Sequence, residues 1–99
     1  MATKALNEAE IIERLTELND WARDGDHITK TFKFDSYLAG IAFVSAVGVI
    51  AEGFDHHPDM TVGWRKVTVS FTTHDAGHKL SAKDFDVAEA IDAVPYPKG

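Results

Sequence analysis

Tyr37-Leu38-Ala39-Gly40-Ile41-Ala42-Phe43-Val44-Ser45-Ala46-Val47-Gly48-Val49-Ile50-Ala51 is the most apolar run of the chain, and the fold turns on how it is read. The alternatives are one helix or a pair of buried strands. Buried strands run to roughly four to eight residues between turn signals. This run passes 15 residues without one, which favours a helix. Leu38, Ile41, Ala42, Val44 or Ser45, and Val49 fall at helical spacing, with further apolar residues interleaved. A helix apolar nearly all round is expected to lie between a sheet and something else. Asp35 or Ser36 supplies its N-terminal cap. The run is too short for a membrane span and is broken by Gly40, Ser45 and Gly48, so no membrane association is expected.

Moving outward, residues 27–34 alternate. Ile28, Lys30, Phe32 and Phe34 share one face, and His27, Thr29, Thr31 and Lys33 the other. That period belongs to a half-buried strand, with Lys30 the one polar intruder on its apolar side. Arg23-Asp24-Gly25-Asp26 ahead of it is turn chemistry. Before that, Asn7 and Glu10 make a variant capping box, and Ile11, Ile12, Leu15 and Leu18 an apolar stripe, predicting a helix over 8–19. Beyond the central run, residues 59–63 read as a short strand and 64–66 as a reversal or bulge. Val67, Val69 and Phe71 alternate with polar neighbours in a second strong strand, and 74–79 form a loop. Ser81-Ala82-Lys83-Asp84 is another capping box, opening a helix with Phe85, Ala88, Ile91 and Val94 inward and Pro95 and Pro97 at its end. Amphipathic strands joined by short turns, with helices between, predict an α+β layer fold around an antiparallel sheet.

Composition narrows the function. The 99 residues suit a single domain, 1–99, with one modest core. Ten Lys and Arg stand against 16 Asp and Glu, a net charge of −6, and the bases are scattered singly or in the pair Arg65-Lys66. Direct binding to nucleic acid is therefore not expected, since it needs a clustered basic face. With no Cys there is no disulfide framework, thiolate nucleophile or Cys-ligated metal. The first residues, MATKALNEAE, carry no signal pattern, and a cytoplasmic location is expected.

The chemistry concentrates in Glu52-Gly53-Phe54-Asp55-His56-His57-Pro58-Asp59, two imidazoles and three carboxylates within eight residues. Imidazole donates and accepts protons near neutrality, and neighbouring carboxylates favour its charged form. Such a mixture suits acid–base catalysis. Pro58 restricts His57 to extended or turn geometry, so the two rings are not expected to share a helical face. Zinc would need three or four ligands, nominally from His56, His57, His74 and Asp55. Adjacent residues of an extended segment point apart, however, and neither an i,i+4 nor a His-x-His pair is present, so no metal is expected. A serine nucleophile elbow, a phosphate loop and a dinucleotide fingerprint are also missing.

The wider spacing is Glu52, three residues, His56-His57-Pro58, five residues, Trp64, nine residues, His74, nine more, then Asp84. It resembles the signature of the pterin-4a-carbinolamine dehydratases, also called 4a-hydroxytetrahydrobiopterin dehydratases. Trp21 and the Leu-Ser-x-x-Asp of residues 80–84 extend the likeness. Gly77-His78-Lys79 makes the loop after His74 slightly longer than in animal members, and Met60 replaces an aromatic residue of theirs.

The resemblance implies a four-stranded antiparallel sheet with three helices packed on one face, assembled as a homodimer or homotetramer. Residues 21–23 would have to supply the fourth strand. It implies dehydration of 4a-hydroxytetrahydropterin to quinonoid dihydropterin, recycling the cofactor of aromatic amino acid hydroxylases, without a metal or cofactor of its own. His57 and His74 would be the proton-transfer pair, with His56 binding and orienting the substrate. Glu52 and Asp55 would hold the imidazoles or accept from the pterin's N–H edge. Pro58, Thr73, Asp75, Ala76 and Asp84 would complete the pocket. Some animal relatives also serve as dimerisation cofactors of a homeodomain transcription factor, which makes a protein-binding module the alternative. Plainer readings stand beside these. Asp84 is also a helix cap, Trp21 and Trp64 read as core aromatics, Asp59 as a turn former, and His27 and His78 as solvated side chains.

Overall fold

The computed structural model describes residues 3–94. The apolar run is a helix, and it continues past Ala51: α2 spans Tyr37–Phe54. Ser36 caps it, its hydroxyl accepting from the Ala39 amide at 3.1 Å. The buried stripe is Ala39, Phe43, Val47 and Ala51, one residue in four, with Gly40 beside it. Leu38 and Val49, expected inward, are 74% and 75% exposed. Both faces of the run are apolar, so its period could not choose between them; close packing does. A Cβ on Gly40 would lie 3.5 Å from Val67 Cγ2 and 3.6 Å from Phe34 Cδ2, so small residues let α2 settle on the sheet. At 18 residues and a mean hydropathy of 1.7, α2 is long and apolar enough to cross a membrane, correcting the shorter sequence estimate. In this fold one face of it lies against the core.

The remaining elements are α1 (Glu8–Thr16), β1 (Ala22–Asp24), β2 (His27–Lys33), β3 (Asp59–Val62), β4 (Lys66–Phe71) and α3 (Ala82–Ala93). All strand pairs are antiparallel, in the order β1-β2-β4-β3. This is the α+β fold of three helices and a four-stranded sheet. The fourth strand sits one residue later than expected, because Trp21 turns into the core and donates from Nε1 to Asp92 at 2.9 Å. Gly25, at φ +61°, makes the reversal into β2. Helix α1 stops three residues short of the predicted end. The Glu17 and Leu18 amides bond to carbonyls three residues back, and Asp20 takes φ +63°. Ile12 is exposed rather than inward, while Ile11 is buried.

Ile28, Phe32, Val67, Val69 and Phe71 from the sheet meet Ile11, Phe43, Val47, Phe85, Ala88 and Ile91 from the three helices in one core. The alternate residues Thr29, Thr31, Thr68 and Ser70 remain at least partly exposed. Lys30 is accommodated on the apolar side by Asp92 at 2.9 Å and by the Phe32 ring, whose centroid lies 4.8 Å from its ammonium. Val94 is the C-cap of α3; Pro95 and Pro97, expected to end that helix, lie outside the described residues.

Candidate active site

The end of α2 places the histidine pair. Asp55 adopts a left-handed conformation (φ 51°) as C-cap, and the His56 amide returns to the Ala51 carbonyl at 3.1 Å. This reversal, followed by Pro58, sends the two imidazoles different ways, as the sequence predicts. His56 turns inward and is buried, its ring stacked on Phe71 with centroids 5.8 Å apart. His57 stays exposed, and its Nε2 lies 2.6 Å from Glu52 Oε1 across the helix end.

Behind His56 is a closed polar network. Its Nε2 lies 2.6 Å from Oδ1 of the fully buried Asp84. The other oxygen, Oδ2, accepts from the Thr73 hydroxyl at 2.7 Å and the Ser81 amide at 2.9 Å. Since the Thr73 proton goes to Asp84, the Ser81 hydroxyl, 2.7 Å away, must donate to Thr73; it in turn accepts from the Lys83 amide. Among the described residues no buried side-chain polar atom lacks a partner. Asp84 thus completes the capping box of α3 and anchors His56 with the same carboxylate.

These groups border a cleft of about 440 Å³ lined by Asp55, His56, His57, Pro58, Asp59, Thr73, His74, Asp75 and Lys83. All three imidazoles named from the sequence reach it. Glu52, Ala76 and Asp84 do not line it: Glu52 holds His57, Asp84 stands behind His56, and Ala76 closes a 3₁₀ turn with its amide on the Thr73 carbonyl. Lys83 was not singled out beforehand, though its place beside Asp84 in the capping box was the available signal. Asp59, read as a turn former, lines the cleft as well. Asp75 is held below the usual carboxylate range by the Thr3 hydroxyl, which donates to it at 3.0 Å, and by Lys83 nearby. Among the described residues no three His, Asp or Glu side chains converge as metal ligands would.

Trp64 belongs neither to this cleft nor to the core. It is 74% exposed at the β3–β4 turn, with Arg65 over its ring, beside a separate cleft formed with Lys33, Phe34, Asp35 and Lys66. Trp21, by contrast, is the core aromatic the sequence suggested.

Fold and site together define a small α+β domain with a histidine-lined cleft at the junction of a helix end and two strand ends. Comparison with known proteins makes this specific. The profile described as pterin 4 alpha carbinolamine dehydratase matches residues 4–94, and the chain belongs to that family. The "putative pterin-4-alpha-carbinolamine dehydratase" of Roseiflexus sp. (strain RS-1) is 53% identical over 94 residues, covering 95% of this chain and 99% of that one. The likewise named protein of Natronomonas pharaonis is 57% identical over 74 residues, covering 75% and 79%. A transcriptional coactivator/pterin dehydratase from Brucella melitensis has a crystal structure similar to this one, with a TM-score of 0.84 at 28% identity, covering 91% of this chain and 97% of that one. A pterin dehydratase-like RuBisCO assembly factor of the alpha-carboxysome shares the fold, with a TM-score of 0.64 at 24% identity, covering 76% and 88%.

Proposed function

We infer that the cleft dehydrates 4a-hydroxytetrahydropterin to quinonoid dihydropterin. The observation that carries this reading is the arrival of His56, His57 and His74 at one concave site. Loss of water breaks the C4a–O bond as a proton reaches the departing hydroxyl. The N5 lone pair forms the C4a–N5 double bond, and the N5 proton passes to an acceptor. Two imidazoles of opposite protonation serve both transfers. His57 and His74 are the exchanging pair on this reading, and His56, held by Asp84, binds and orients the ring. Asp55, Asp59 and Asp75 offer acceptors to the pterin's N–H edge. The reaction belongs to recycling of the pterin used by aromatic amino acid hydroxylases, in the cytoplasm, with no metal or cofactor required.

A direct dehydration assay on authentic carbinolamine tests this. His57→Ala and His74→Ala are each expected to lower kcat by about 10²-fold or more, the scale of one general acid or base, with the fold retained. Full activity in both variants would refute the mechanism.

A second reading, as a protein-binding module, rests on the outer face of α2, where Leu38 and Val49 stand exposed. That face also suits association into homodimers or homotetramers. A chain serving only partners would keep that role when His57 and His74 are replaced by Ala.

A further inference from the structure

The three cleft imidazoles are not held alike. His56 and His57 each meet a carboxylate at 2.6 Å, Asp84 and Glu52 respectively. Among the described residues the His74 ring has no hydrogen bond or ion pair; its one directional contact is the ring of His78. The two rings are edge to face, with centroids 4.8 Å apart and planes at 82°. His78 reaches this position through an uncommon backbone conformation, φ +59°, immediately after Gly77 at φ +78°. The loop is closed around the pair. The Thr73 amide bonds to the Lys79 carbonyl at 3.0 Å, and the Gly77 and His78 amides both point to the His74 carbonyl, at 3.2 and 3.3 Å. A left-handed histidine beside a cleft is the kind of local strain that functional sites retain.

We propose that His78 is a positioning residue for His74: its ring, edge to face with that of His74, sets the orientation in which His74 meets the cleft. This rests on the dehydratase reading. Held in that orientation, His74 exchanges its proton with the pterin, whereas His57 takes its direction from Glu52. The other charged and titratable groups around the pair are Asp75 and Lys79 on the loop and Lys83 at the start of α3. Asp55, His56, His57 and Asp59 stand on the 55–59 side of the cleft.

The test compares His78→Asn and His78→Phe with the wild-type chain. Asn tolerates the left-handed backbone and removes the ring, while Phe keeps an edge-to-face ring and removes the proton. NMR without substrate should show cross-relaxation between the His74 and His78 ring protons in the wild type. In His78→Asn, the side-chain couplings of His74 should show averaging between rotamers. On the carbinolamine, His78→Asn should lower kcat roughly threefold to thirtyfold with little change in KM, the cost of a misoriented group. His78→Phe should restore kcat; if it fails to fold, as a thermal melt would show, the Asn variant still decides. A His74 ring equally ordered and a kcat unchanged in His78→Asn would overturn the proposal. A wild-type chain inactive on the carbinolamine would overturn the dehydratase reading instead, and the spectra would still decide whether the rings are in contact.

Discussion

Asp84 accepts from Ser81 and Thr73 and meets His56 without any exposure to solvent, so its removal leaves several buried polar groups unpartnered. Asp84→Ala should therefore cost about 3–5 kcal/mol, the range for deleting one partner of a buried pair, read from urea unfolding. Asp84→Asn, which keeps the volume and one acceptor, should cost less while still lowering the dehydration rate. Sequence reasoning found this residue twice, as a cap and as a member of the family signature. It could not show that one carboxylate does both jobs, because that depends on where α3 docks against Thr73 and His56. Asp75 gives a prediction in pH. Its folded carboxyl titrates below the ordinary value, chiefly because Thr3 donates to it. The associated stability is present above the unfolded carboxylate range and is lost as pH falls through the lower, folded value. In Thr3→Val the Asp75 carboxyl should titrate closer to its ordinary range, followed by NMR, and the acid limb of the stability curve should shift upward in pH.

At the scale of the element, α2 was legible as a helix and illegible in its orientation. Length and the lack of turn residues identified it, but apolar side chains on both faces gave periodicity nothing to separate. The sheet takes the face with Ala39, Gly40 and Phe43, whose small neighbours permit close approach; Phe43 packs on Phe32 and Phe34 at centroid distances of 4.5 and 5.3 Å. Phe43→Ala should cost about 3–5 kcal/mol through the cavity it leaves. Leu38→Ala, by contrast, should stay within about 0.5 kcal/mol in the isolated chain, as exposed substitutions do. Comparable losses from the two would mean that the wrong face has been assigned to the core. The same limit applies to other elements. Trp64 was in the signature, yet the turn carrying it lies away from the His cleft. His78 is exposed, as the sequence suggested, but nothing in the sequence announces its positive φ or its ring contact four residues back. The His56-His57-Pro58 geometry was legible, since Pro58 and the helix end are local constraints.

Across the whole molecule, α2 joins two regions of different character. Its C-terminal end carries the His cleft, with Asp55, Asp59 and Asp75 at its wall, so part of the net charge of −6 is concentrated there. Along its outward face Leu38, Ala42, Ser45 and Val49 remain uncovered, with exposed Tyr37 and Phe54 near its ends. Such a row on a helix otherwise seated in a core suits a self-complementary contact between copies, each helix burying the other's stripe. Replacing Leu38 and Val49 together by Glu places two charges in that contact without touching the core stripe. Sedimentation equilibrium should show the wild-type chain as a dimer or tetramer and the double variant shifted toward monomer, with its circular dichroism unchanged. If the site is complete within one chain, monomeric Leu38→Glu/Val49→Glu should keep most of its dehydratase activity. His57→Ala should behave in the opposite way, losing activity while keeping its assembly state. A monomeric wild type would remove the argument for self-association, and the exposed row would then have to be assigned to another protein. Loss of activity in step with loss of assembly would show instead that the cleft needs its neighbour.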